Sequence, residues 1–134
     1  MVIRLARGAQ ILKHSNTKFI IKNIRTLRGL RALRGENIFR HGQCFAYELN
    51  RAKIPFQLQV SLPVDYKQIR LDCGYRIDLF VDNSLIVEVK SIDQLLIIHE
   101  AQILTYMKLA KVNVGLLINF NVEMLKKGVK RFVF

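Results

Sequence analysis

Two apolar runs joined by a short polar turn lie in the middle of the chain and predict a β-hairpin over residues 75–90. Asp78 interrupts the first run, and Glu88 and Lys90 interrupt the second. Burying a charged group in an apolar environment is unfavourable unless another group pairs with it. The hairpin must therefore pair these three charges with one another or expose them to water.

The length of the turn decides whether the three charges share one face of the sheet. Residues two apart on a strand point the same way, so Glu88 and Lys90 lie on one face. A three-residue loop at 82–84 places Asp78 opposite Glu88 and gathers the charges into one cluster. A loop one residue shorter places Asp78 opposite Val87 on the other face.

Such a cluster fits the hydrolysis of a phosphodiester bond. Two carboxylates can bind Mg²⁺, a hard cation that prefers oxygen ligands. The ion polarises a phosphoryl oxygen and lowers the pKa of a bound water, while a lysine can orient that water or offset charge in the transition state. The alternative is that the three charges lie on a solvent-facing edge strand.

A stripe of polar residues on the next element points to the same place. The pattern predicts a helix over about 94–111, apolar over most of its surface, on which His99, Gln102 and Tyr106 share one narrow stripe. Each residue alone could be a core side chain or part of a polar edge facing water. Together, directly after the charged hairpin, they predict a polar site where sheet and helix meet.

The remaining elements predict the fold class. A helix is expected near 37–52, and from Phe56 apolar and polar residues alternate, which is typical of a strand with one buried face. The sequence "VGLLINF" at 114–120 predicts a buried strand. Antiparallel strands followed by a strand–helix–strand crossover predict an α/β sandwich with a mixed sheet. Shorter elements are predicted as a strand at 69–72, a helical turn at 122–127 and a strand at 129–134.

Positive charge is concentrated at the amino-terminal end. The formal net charge is +12, and nine lysines and arginines precede Glu36, the first acidic residue. A phosphate backbone is a natural partner for so basic a segment, although it could also be a solvated tail. A basic amphipathic helix could form in it, with apolar residues near helical spacing at Ile20, Ile24, Leu27, Leu30 and Leu33.

Length and composition exclude several other classes. A chain of 134 residues is expected to form one domain with a real core. No apolar run approaches the roughly 20 residues that span a bilayer, and the basic start lacks the features of a secretory signal. Cys44 and Cys73 show no metal-ligand spacing, and the histidines are too scattered for a zinc site. A reduced, cytoplasmic protein is expected.

The hairpin and helix motifs resemble those of a known nuclease superfamily. Asp78 followed by Glu88-Val89-Lys90 resembles the D…(D/E)-x-K signature of the PD-(D/E)XK nucleases. Gln102-x-x-x-Tyr106 resembles the Gln-x3-Tyr motif of their RecB-like branch. The amino-acid sequence over about 42–132 is similar to those of the small bacterial proteins called the GxxExxY family. This resemblance implies a restriction-endonuclease-like α/β fold, with a mixed sheet flanked by helices, and nuclease activity with Mg²⁺ or Mn²⁺.

The resemblance also implies roles for individual residues. Asp78 and Glu88 would bind the metal, the backbone carbonyl of Val89 would be a further ligand, and Lys90 would be the catalytic lysine. Nucleic acid, DNA before RNA, is the expected partner, with a protein partner or a homodimer as further options. Supporting or substrate-binding residues would be Gln102, Tyr106 and His99.

The amino-terminal part departs from the family pattern. Residues 1–34 are interpreted as a basic segment and 35–134 as the nuclease-like domain. In the family's helix, Gly35, Ile38 and His41 stand where the Gly, Glu and Tyr of the name motif belong. Because isoleucine cannot bind a metal, two alternatives to an active nuclease follow. One is a catalytically impaired nucleic-acid-binding protein on a nuclease scaffold, and the other is a subunit that needs a partner.

Overall fold

The structure is a computed structural model that describes residues 17–20, 22 and 38–134. Its elements are α1 (Ile38–Arg51), β1 (Phe56–Ser61), β2 (Val64–Tyr66), β3 (Ile69–Leu71), β4 (Arg76–Val81), β5 (Leu85–Lys90), α2 (Ile97–Ala110), β6 (Val114–Asn119), a 3₁₀ helix (Leu125–Gly128) and β7 (Val129–Val133).

Five strands form one sheet in the order β1-β4-β5-β6-β7. The central pair, β5 and β6, is parallel and joined through α2, and the other neighbouring pairs are antiparallel. The prediction of an α/β fold with a mixed sheet is confirmed. The predicted strand at 69–72 lies outside this sheet, because β3 pairs with β2 in a separate hairpin. Lys67 and Gln68 turn that hairpin with φ angles of 45° and 69°, the left-handed conformation typical of two-residue hairpin loops.

Each face of the main sheet carries its own hydrophobic core. Val87 and Ile86 are adjacent on β5 and point to opposite faces, and each is fully buried. Helix α1 covers the face of Val87, and α2 covers the face of Ile86. The α1 core includes Phe45, Leu49, Leu79, Val81, Leu85, Val87, Val89, Leu116 and Ile118. The α2 core includes Leu62, Ile77, Ile86, Ile103, Tyr106, Met107, Val112 and Leu117.

Helix α2 begins later than the predicted residue 94. Leu96 is extended, with φ −107° and ψ 163°, and caps a helix that starts at Ile97. The backbone N–H of Leu96 donates to Nδ1 of His99 over 2.9 Å. The side chain of His99, the first residue of the polar stripe, thus satisfies a backbone N–H at the start of the helix. In the parts of the chain that the structure describes, no helix has the length and apolar character to cross a membrane.

Strand β1 does not keep the predicted one-sided alternation. Phe56 packs against the α1 core, whereas Val60 packs against the α2 core. Leu58, expected on the buried face, is 45% exposed. Gln59 has a positive φ of 52°, which rotates the strand between these positions. The strand is therefore buried on different faces before and after Gln59.

The neighbouring strand β4 changes face at the same level. Leu79 belongs to the α1 core and Ile77 to the α2 core, although they are two residues apart. The pairs on either side are Leu58 with Leu79 and Val60 with Ile77. Asp78 lies between these pairs, opposite Gln59, so both strands turn together around this position.

Part of the basic segment belongs to the folded domain. Ile20 is helical, 2% exposed and packed in the α1 core, and Thr17 is also buried. The other apolar positions of the predicted amphipathic helix lie outside the described residues, namely Ile24, Leu27, Leu30 and Leu33. Gly35 and the side chains of Ile38 and His41 lie outside them as well.

Alanine substitutions at two separate glycines test the packing at the end of β6. A Cβ on Gly128 would lie 2.2 Å from the backbone oxygen of Asn119, which cannot move without distorting the sheet. We expect Gly128→Ala to lower the free energy of unfolding by about 3 kcal/mol in urea denaturation. In α1, a Cβ on Gly42 meets no atom of the described residues within 4 Å. Gly42→Ala is the control and should raise stability by about 0.5–1 kcal/mol. Equal effects of the two substitutions would contradict the packing described.

Candidate active site

The loop between β4 and β5 sets the register of the charged residues. Val81 pairs with Leu85 across a three-residue loop, which confirms the longer of the two predicted turns. Asp82 and Asn83 accommodate it with φ angles of 49° and 48°. The antiparallel pairs end with Leu79 opposite Val87. The next position in this register brings Asp78 level with Glu88.

The carboxylate of Asp78 lies where the two strands cease to pair. Its Oδ2 accepts the backbone N–H of Val89 over 2.9 Å, replacing a bond that a neighbouring strand would otherwise make. Its Oδ1 accepts a hydrogen bond from Nε2 of Gln59 on β1 over 3.2 Å. A side-chain donor from β1 and a backbone donor from β5 therefore fix the Asp78 carboxylate between these two strands.

Glu88 and Lys90 form a partly enclosed ion pair. Glu88 is only 2% exposed. The Nζ of Lys90 donates to its Oε1 over 3.0 Å and to Oε1 of Gln102 over 2.9 Å. The second carboxylate oxygen of Glu88, Oε2, is buried without a hydrogen-bond partner among the described residues. An unpaired buried oxygen of this kind is unfavourable in the absence of a ligand.

The surroundings of Glu88 hold its proton unusually tightly. Burial, together with the negative charge of Asp78, raises the pKa of Glu88 from 4.5 to about 7. The charge and hydrogen bond of Lys90 oppose this increase without cancelling it. A second positive charge near the two acids would favour the ionised form.

Helix α2 supplies a chain of contacts that begins at Lys90. Gln102 accepts from Lys90 through Oε1 and donates from Nε2 to Oη of Tyr106 over 2.9 Å. Tyr106 is 5% exposed, and its ring centroid lies 5.9 Å from that of Tyr75. The structure thus brings Gln102 and Tyr106 to the charged cluster, as the helical stripe predicts.

His99 has a different environment from the other two residues of the stripe. Its Nδ1 accepts the N–H of Leu96, so one ring nitrogen is engaged in the helix terminus. Neither ring nitrogen contacts the Lys90–Gln102–Tyr106 chain in the structure. A role in supporting the site or in contacting substrate stays a prediction for His99.

Two further polar residues, one in contact with the site and one beside the loop that follows Lys90, are not predicted by the sequence patterns. The alternation from Phe56 indicates only that Gln59 lies on the polar face of β1, and its contact with Asp78 depends on the pairing of β1 with β4. Asn119 is 2% exposed, accepts the N–H of Ile92 over 3.1 Å and donates to the Ile92 carbonyl over 2.8 Å. An asparagine inside an almost wholly apolar strand was the available signal, because a buried amide needs partners.

The donor set fits a hard divalent cation. Asp78 and Glu88 offer carboxylate oxygens, which Mg²⁺ and Mn²⁺ favour over nitrogen or sulfur ligands. The unpaired Oε2 of Glu88 and the repulsion between the two acids are both relieved by a bound positive charge. Among the residues the structure describes, no group of three or more His, Cys, Asp and Glu side chains forms a larger metal-binding cluster.

The fold is an α/β domain in which two acids and a lysine lie on the adjacent strands β4 and β5, beside the crossover helix α2. A family model of the PD-(D/E)XK nuclease superfamily matches residues 29–132, and the chain belongs to that superfamily. Its mixed sheet with flanking helices is consistent with the restriction-endonuclease-like fold. Members of the superfamily are nucleases that generally use divalent metal ions, so nucleic acid is the class of substrate.

The match begins at residue 29, inside the predicted basic segment. Assignment to the GxxExxY branch stays a prediction. No curated protein and no solved structure matches the chain significantly.

The raised pKa of Glu88 predicts a specific pH dependence of stability without metal. The folded state holds the proton up to about pH 7 and the unfolded state only to about 4.5. Stability should therefore fall as pH rises between these values, by about 3 kcal/mol in total. Glu88→Gln removes this group, so the difference in unfolding free energy between wild type and variant should change by that amount between pH 4 and 8.

Urea denaturation in EDTA measures this difference. Glu123→Gln removes an exposed carboxylate instead and is the control for the loss of one negative charge. A wild-type to Glu88→Gln difference that stays constant across the pH range would contradict the burial described for Glu88.

Proposed function

We propose that this chain is a divalent-metal-dependent nuclease that hydrolyses phosphodiester bonds in DNA, with Mg²⁺ or Mn²⁺ as cofactor. The observation that carries the proposal is the buried Glu88 carboxylate, which has one oxygen on Lys90 and the other unpaired. Asp78 lies close enough for its charge to raise the pKa of Glu88. Membership of the PD-(D/E)XK nuclease superfamily supports the same activity.

Asp78 and Glu88 are the proposed side-chain ligands of the metal. The backbone carbonyl of Val89 is proposed as a third ligand. The N–H of Val89 points to Asp78, and in an extended strand the carbonyl of the same residue points to the same edge. The pairing of β4 with β5 has already ended at this level, so the strand edge faces the two acids.

Lys90 is the proposed catalytic lysine. A bound divalent ion supplies a charge that polarises a phosphoryl oxygen and lowers the pKa of water. The Lys90 ammonium, held between Glu88 and Gln102, can donate a hydrogen bond to an attacking water or to a phosphoryl oxygen. Positive charge aimed at developing negative charge lowers the barrier to reaction because it needs no rearrangement during the step.

Gln102 and Tyr106 are proposed to position the lysine. Gln102 accepts from Lys90 and donates to Tyr106, so its amide orientation is fixed at both ends. His99 stabilises the start of the same helix through Leu96. The cytoplasm is the proposed location, since Cys44 and Cys73 are free thiols.

A cleavage assay tests the proposed activity and the assigned roles. We expect wild-type protein to cut DNA with Mg²⁺ or Mn²⁺ and not in EDTA. Asp78→Asn and Lys90→Met should each lower the rate at least about 100-fold, because the first removes a ligand of the metal and the second removes the positive charge aimed at the reacting phosphate. Lys126→Met, which removes an exposed lysine on the 3₁₀ helix, is the matched control and should retain the wild-type rate.

The outcomes separate the proposal from its alternatives. Cleavage that survives both substitutions would refute the roles given to Asp78 and Lys90. Salt-sensitive binding without cleavage in any divalent metal would support a binding protein on the nuclease scaffold, consistent with Ile38 at the position of the family's glutamate. Cleavage only after addition of a co-purified protein would support a subunit that needs a partner.

Metal binding can be measured independently of catalysis. At pH 8, Mg²⁺ should raise the thermal midpoint of the wild type, because a ligand that binds only the folded state stabilises it. Asp78→Asn should abolish this increase. Asp93→Asn is the control, since Asp93 is an exposed acid that accepts a hydrogen bond from Asn121 and takes no part in the cluster. An increase that persists in Asp78→Asn would place the metal elsewhere.

A further inference from the structure

Tyr75 is an exposed aromatic residue at the edge of the candidate site. It precedes β4 and is 39% exposed, although its ring contacts the buried ring of Tyr106 at 5.9 Å and an angle of 55°. Its carbonyl accepts the N–H of Leu62 over 2.8 Å, which fixes the backbone. One part of the ring is therefore anchored and the rest faces solvent.

The topology places Tyr75 at the same end of the sheet as the catalytic cluster. Because β4 and β5 are antiparallel, the start of β4 lies beside the end of β5, where Lys90 is located. Side-chain contacts connect the two positions through Gln102 and Tyr106. A nucleic acid strand with its phosphate at Lys90 would pass Tyr75 within a few nucleotides.

Cations and a second aromatic ring lie close to Tyr75 in the chain. In the β2–β3 hairpin, Tyr66 is 56% exposed and the Lys67 ammonium lies 5.4 Å from its ring centroid. Arg76, directly after Tyr75, is exposed. Exposed aromatic rings interspersed with cations are how proteins bind single-stranded nucleic acid, by stacking on bases and attracting the backbone.

Two acids, Asp65 and Asp72, lie in the same segment. Asp65 lies opposite Arg70 in the register of the hairpin. Asp72 accepts the backbone N–H of Gly74 over 2.9 Å and so closes a local turn. Three basic side chains, Lys67, Arg70 and Arg76, stand against these two acids in residues 64–76, so the segment that carries the two tyrosines has a net positive charge.

We propose that Tyr75 stacks on an unpaired base and that the site acts on single-stranded nucleic acid or on an unpaired segment. The choice follows from the chemistry of the ring. Inside a duplex both faces of a base are covered by its neighbours, so a tyrosine ring can stack there only on a base that has left the stack. This inference rests on the proposed function, because it takes the Lys90 cluster as the place where the phosphate binds.

Substitutions at Tyr75 test the inference by equilibrium binding in EDTA, where no cleavage occurs. The probes are a fluorescein-labelled single-stranded DNA oligonucleotide and the matching duplex, followed by fluorescence anisotropy. Tyr75→Leu keeps apolar contact with Tyr106 but has no aromatic face, and it should bind the single strand about tenfold more weakly. Binding of the duplex should be unchanged. Tyr75→Phe should bind like wild type, and Tyr75→Trp should bind the single strand more tightly.

A matched control removes a similar ring elsewhere. Tyr47 is 63% exposed on α1, which covers the opposite face of the sheet, and Tyr47→Leu should not alter binding. A merely structural role for Tyr75 would not make the tryptophan variant bind more tightly than wild type. Equal single-strand binding by wild type and Tyr75→Leu overturns the inference, as does equal weakening for single strand and duplex or no binding of the single strand by wild type.

The result is separable from the test of the proposed function. If single strands bind through Tyr75 but no metal supports cleavage, the nuclease proposal fails and base stacking stands. If the wild type cleaves DNA and Tyr75→Leu binds and cleaves like it, the nuclease proposal stands and base stacking fails.

Discussion

The buried carboxylate of Glu88 is the constraint on which the candidate site depends. Glu88 lies on β5, the middle strand of the sheet. The other residues of that strand are buried, apart from the half-buried Lys90. A charge in that position needs compensation, and Lys90 provides it from the same strand face. Gln102 and Tyr106 then hold the lysine in place. The polar chain that extends to the surface at Tyr75 thus originates from one unfavourably placed acid.

Strands β4 and β5 cease to pair at Asp78, and this makes the Glu88–Lys90 pair a candidate binding site. If β4 had continued to pair with β5, its backbone would have occupied the N–H of Val89. Instead the Asp78 carboxylate takes that bond, and the turn in β1 at Gln59 accommodates the change. A local departure from regular strand geometry therefore brings a second acid to Glu88, which is how sheets often re-aim a side chain at functional sites.

Sequence reasoning reached the parts of this arrangement that depend on local periodicity. The two-residue spacing of Glu88 and Lys90 and the helical spacing of Gln102 and Tyr106 are properties of single elements, and both groups lie where the patterns place them. The sequence predicts a loop of either two or three residues between β4 and β5, and only the pairing of the strands decides between the two lengths. The contact of Gln59 with Asp78 depends on how two distant segments align. Alternation failed in β1 for the same reason, because the turn at Gln59 follows from its pairing with β4.

The parallel pairing of β5 with β6 affects when the site can assemble. Asp78, Glu88 and Lys90 lie within one hairpin, yet β5 becomes a central strand only after β6 has docked in parallel beside it. Such pairings between distant segments form slowly, since the intervening chain must first be ordered. During synthesis, a chain that has emerged only as far as α2 carries every charged residue of the cluster but lacks β6, the strand that pairs with β5 at Glu88. The fold thus separates the synthesis of these residues from the completion of the sheet around them.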